Sequence, residues 1–112
     1  MNKDEEIEKI KKVNERLFQI KDVITRSYSE ASDGLEENVY QMKKLLDSGC
    51  LDQNESDFFC ERVTSTKKRI LECESLKDYE IRKVDGIISD NEEGIKSLEN
   101  EKENEDSSEA EK

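Results

Sequence analysis

The stretch "SGCLDQNESDFF", residues 48–59, interrupts a chain whose apolar residues otherwise recur at helical spacing. Its polar residues each have a local reason to be there. Gly49 suits the left-handed backbone position just past a helix end. Asp52, Asn54 and Ser56 are all acceptable helix N-caps, and Asp52 with Glu55 has the spacing of a capping box. The segment reads as a turn over 48–55, between a helix over about 4–47 and a second over about 56–99. Two helices joined by so short a turn lie antiparallel, so the expected fold is an all-α two-helix hairpin.

Before the turn, Ile10, Val13, Leu17, Ile20, Ile24, Ser27 and Ala31 recur at alternating steps of three and four, the seam of a helix packed lengthwise on another. Ala31, Leu35 and Val39 then step by four, and Met42 and Leu46 resume the alternation. An extra four-step relaxes the supercoil locally. Ser32, Asp33 and Gly34 lie within the lapse, where a kink or a mildly strained continuous helix is expected rather than a loop. After the turn the seam runs Phe59, Val63, Thr66, Ile70 and Cys73, slips through Lys77 to Ile81, and continues to Val84, Ile88, Asn91, Ile95 and Leu98. The last segment, 100–112, has no apolar residue larger than alanine. It reads as an acidic disordered tail or a frayed extension of the helix.

Composition narrows the function. The chain has 112 residues, 31% hydrophobic and 44% charged, and its net charge of −11 disfavours nucleic acid or an anionic membrane as a direct partner. No apolar run approaches the roughly 20 residues of a membrane span, so no membrane insertion is expected. The opening MNKDEEIEKI lacks a signal-peptide core. The expectation is a cytoplasmic protein, with any export independent of a cleaved signal. Histidine is absent, the four glycines frame no phosphate-cradling loop, and the three cysteines have no metal-ligand spacing. No catalytic residue, cofactor or metal site is assigned, and the chain reads as not an enzyme. Cys50, Cys60 and Cys73 read as reduced thiols.

The apolar band is wider than one seam, because Phe18, Val23, Tyr40, Leu45, Phe58, Leu76 and Ile87 flank it. A helix with such a band touches more than one neighbour. A helical protein partner, or a second copy of the chain, is therefore expected. Its contacts are assigned to Phe18, Ile20, Ile24, Tyr28, Phe58, Phe59, Ile70 and Tyr79, since aromatic and branched residues dominate buried interfaces. Each of the apolar residues among these can alternatively serve the hairpin's own core.

Two long helices, a short polar turn and an acidic balance resemble the small helical-hairpin proteins of type VII secretion. These comprise the W-x-G hairpins and the partner proteins of LXG toxins. At the turn, Leu51-Asp52-Gln53 stands where the family has W-x-G, with Phe59 at the matching distance. Phe18-Gln19-Ile20-Lys21-Asp22 fits the F-x-x-x-D pattern of some LXG partners, whereas Tyr79 with Lys83 departs from the Y-x-x-x-D/E export signal. The resemblance implies a partner, chaperone or targeting factor that covers the apolar helices of a secreted toxin, and through F-x-x-x-D it adds Asp22 as a ninth partner-contact residue. Two other readings stay open: a coiled-coil subunit or homo-oligomeric scaffold component, and an acidic inhibitor that mimics nucleic acid.

Overall fold

The computed structural model describes the backbone of residues 2–110 and the side chains of residues 2–105, and these contain two helices and no strand. Helix α1 is Lys3–Asp47 and α2 is Gln53–Ala110. The all-α hairpin expected from the sequence is the fold. No proline interrupts either helix, and α1 passes through Ser32, Asp33 and Gly34 without a break. Its start is capped by Asn2, whose Oδ1 accepts the Glu5 N–H at 2.8 Å, and Asp4, Glu5 and Glu6 place negative charge against the helix dipole.

The turn is built as its residues dictate. Gly49 sits at φ 72°, which glycine adopts without a steric penalty. Ser48 closes the end of α1 twice, its N–H and its hydroxyl both donating to the Leu45 carbonyl, at 3.2 and 2.6 Å. Asp52 and Glu55 form a reciprocal capping box: the Glu55 N–H donates to Asp52 Oδ1 at 2.8 Å, and the Asp52 N–H donates to Glu55 Oε1 at 3.1 Å. Because Asp52 is the cap used, α2 opens at Gln53 rather than near 56. Asp52→Ala should cost about 1 kcal/mol, the usual value of such a cap. Urea unfolding followed by circular dichroism measures it.

Two compact units divide the chain. One joins Met1–Val23 to Ile81–Lys112, and the other is Ile24–Glu80, which contains the turn. Within the first, Ile7, Asn14 and Ile88 are buried. The helices are antiparallel there: Lys3 pairs with Glu101 and Glu105, Asp4 with Lys102 at 2.6 Å, and Lys21 with Asp85 at 2.5 Å. Asn14 satisfies its buried amide by donating from Nδ2 to the Ile88 carbonyl at 3.5 Å and accepting at Oδ1 from Asn91 Nδ2 at 2.8 Å. In the turn-containing unit Val39, Val63 and Thr66 are buried. Leu35, Met42, Leu46, Phe59 and Ile70 are half-buried around them.

The seam of α2 follows the expected residues from Phe59 to Leu98, each at least half-buried. That of α1 is corrected. Val13 is 45% exposed and Asn14 only 7%, and Ile20 is likewise exposed while Lys21 is half-buried. The inward series is Ile7, Ile10, Asn14, Leu17, Lys21, Ile24 and Tyr28, a steady alternation with its extra four-step at Tyr28–Ser32. Both series share Ile10, Leu17 and Ile24, so hydrophobicity alone selects Val13 and Ile20. What selects their neighbours is polar: Asn14 finds two partners, and Lys21 lays its stem along the seam to reach Asp85.

Of the two forms expected for the tail, the described part takes the helical one, and the boundary placed at 99 moves to Ala110. Ion pairs from Glu101, Lys102 and Glu105 to the first turn of α1 accompany the extension. Residues 111–112 of the expected disordered tail lie outside the described residues.

Candidate interaction surface

Five of the nine residues assigned to partner contact are exposed: Phe18, Ile20, Asp22, Phe58 and Tyr79. The other four, Ile24, Tyr28, Phe59 and Ile70, are half-buried and occupy inward positions of the hairpin. The nine are divided between the two units. Phe18, Ile20 and Asp22 belong to the unit of the chain ends, where Val13, Val23 and Ile87 are exposed with them; the rest belong to the unit of the turn. The Lys21 ammonium stands 5.6 Å from the Phe18 ring centroid, close enough for a cation–π contact.

Within the turn-containing unit three surface features stand out. The first is a groove of about 400 Å³ between α1 and α2. Leu35 and Met42 line it from α1, and Phe58, Phe59, Arg62 and Arg69 from α2. Phe58 and Phe59 meet edge to face, with centroids 5.2 Å apart. Phe59 turns toward the seam, and Phe58 remains 56% exposed. The second is a shallow apolar patch on α2 around Leu71 and Leu76. Leu71, at 67%, is the most exposed large apolar side chain among the described residues, and the sequence does not single it out because it directly follows the inward Ile70.

A polar notch of about 180 Å³ is the third feature, lined by Tyr28, Ser32, Asp33, Glu36, Cys73 and Lys77. It lies at the extra four-step of α1, where Ser32, Cys73 and Lys77 leave less apolar volume than leucine would. Partial burial raises the Tyr28 phenol above its usual 10.0, and the hydrogen bond to the Glu80 carboxylate and that carboxylate's charge raise it further. The folded state thus holds this proton more tightly than the unfolded chain. The contribution to stability is complete below pH 10.0 and is lost as pH rises through the higher folded value. Phenolate absorbance during an alkaline titration should show Tyr28 ionising later than in Glu80→Gln.

No family model, curated protein or solved structure matches this chain. Among the described residues, no group of three or more Cys, Asp and Glu side chains is arranged to hold a metal ion. No helix among them is long and apolar enough to cross a membrane. Cys50 and Cys60 are exposed free thiols, and Cys73 is a half-buried one.

Proposed function

We propose that this chain is a non-enzymatic binding protein of the cytoplasm, a partner or targeting factor that covers the apolar helices of another protein. The observation that carries the reading is the balance of large apolar side chains. Eleven are exposed among the described residues, from Val13 to Ile87, while only Ile7, Val39, Val63 and Ile88 form a buried apolar core. Single exposed apolar residues are ordinary, but an excess of this size on so charged a chain marks surface that association would cover. The shape-level resemblance to type VII hairpins supports an LXG-type toxin as the protein covered, with Phe18 and Asp22 in the F-x-x-x-D register.

The test is affinity capture from the native cells with the full-length chain, followed by sedimentation of the purified complex. Capture should yield one stoichiometric helical partner, and Phe18→Asp with Phe58→Asp should abolish the complex while helicity persists. A stable, cooperatively melting monomer that captures nothing overturns the reading. The steady alternation from Ile7 to Tyr28 favours the second reading, a homo-oligomeric coiled-coil component. Sedimentation of the chain alone as a symmetric oligomer would select it.

A further inference from the structure

The acidic residues of this chain thin out where the turn-containing unit has its groove. Residues 38–46 of α1 and 58–71 of α2 carry Lys43, Lys44, Arg62, Lys67, Lys68 and Arg69 against one acid, Glu61. Acidic residues Glu37, Asp47, Asp57 and Glu72 bound the two segments. The segments face each other: Lys67 lies against Lys43, whose proximity lowers the Lys67 pKa below the usual 10.5. The local charge is therefore +5 in a chain of −11. Two of these cations, Arg62 and Arg69, line the groove itself, together with Leu35, Met42 and Phe58, and no carboxylate lines it. Among the described residues neither arginine has an ion-pair partner.

Resting on the binding-protein reading above, we infer that this groove takes an acidic amphipathic helix of the partner, its carboxylates on Arg62 and Arg69 and its apolar side chains against Leu35, Met42 and Phe58. The spacing defines the ligand. Arg62 and Arg69 are seven residues apart on α2, roughly 10.5 Å at helical rise. A helix lying along the groove meets both with carboxylates seven residues apart and turns an apolar residue between them into the groove. Guanidinium groups suit this role because they pair with carboxylates through two parallel hydrogen bonds. A polyanion is a poorer fit, because the apolar walls of Leu35, Met42 and Phe58 offer nothing to a phosphate. The acidic end of a second copy fits the charge but not the walls, since residues 99–112 have no large apolar side chain.

The probe is a labelled helical peptide of about 20 residues, long enough to hold several turns, with leucines on one face and flanking glutamates seven apart. Its controls are the same peptide with lysines for glutamates, a single-stranded DNA oligomer and phosphatidylglycerol vesicles. The glutamate peptide should bind the full chain saturably and more weakly as salt rises. Arg62→Glu with Arg69→Glu should weaken it by at least about tenfold and transfer preference to the lysine peptide. Ser75→Glu, on the separate Leu71–Leu76 patch and outside the cationic cluster, should leave binding within about twofold. Equal binding of both peptides, no exchange of preference in the double variant, or tighter binding of DNA or vesicles overturns the inference. A captured partner that survives the double reversal but is lost with Phe18→Asp also overturns the groove while leaving the wider reading in place.

Discussion

Aspartate at position 59 should unfold the turn-containing unit, and aspartate at position 58 should not. The two phenylalanines are sequence neighbours with rings 5.2 Å apart, yet one points into the hairpin and the other largely into solvent. Phe59→Asp removes a large side chain beside Leu35 and Met42 and puts a charge in its place, a loss of about 3 kcal/mol or more. Phe58→Asp gives up the edge-to-face contact, roughly 0.5–1.5 kcal/mol, and little else. Binding reverses the order of importance. As an aromatic anchor Phe58 should carry about 2 kcal/mol of partner affinity, a roughly thirtyfold loss when charged. Urea denaturation and titration with the captured partner separate the two effects. Equal destabilisation by both substitutions would place Phe58 in the core and remove it from the surface.

Leucine at both Asn14 and Asn91 should make the protein more stable and less uniquely folded. The pair occupies inward positions, with Asn14 buried and bonded to Asn91 and to the Ile88 carbonyl. Two leucines there bury apolar surface in place of amides, a gain on the order of 3 kcal/mol after discounting for partial exposure of Asn91. The melting temperature should rise by roughly 10 °C or more. The loss is in selectivity, because a polar pair tolerates only the register in which its two members meet. Sedimentation of Asn14→Leu/Asn91→Leu should therefore show a wider spread of association states than the natural chain does. A lower melting temperature would mean that the amide pair is net stabilising.

How far the molecule could be read in advance depended on which physical signal each part carries. The turn was legible because Gly49, Asp52 and Glu55 act locally, each on backbone groups within three residues. The inward face of α2 was legible because its apolar residues admit one series from Phe59 to Leu98. On α1 two series interleave, and the choice rests on Asn14 and Lys21, whose partners Asn91 and Asp85 lie more than 60 positions away. The same non-local dependence blurred the surface. Phe59 and Ile70 are as aromatic or branched as an interface residue should be, and only the paired helix shows that they face inward. Arg62 and Arg69 carry no signal of their own in the net charge of the chain, and pairing is what sets them beside Met42 and Leu35.

The turn also sets an order of events. Bringing Met42 and Phe58 to one groove beside it closes a loop of fewer than 20 residues, whereas Lys3 must find Glu105 across 102 positions. Loop-closure entropy favours short closures first, so folding should zip outward from the capping box and reach the chain ends last. Opening runs the other way. Amide hydrogens near Ile7 and Leu98 should exchange with solvent sooner than those near Val39 and Val63, and a protease should trim the hairpin from its open end.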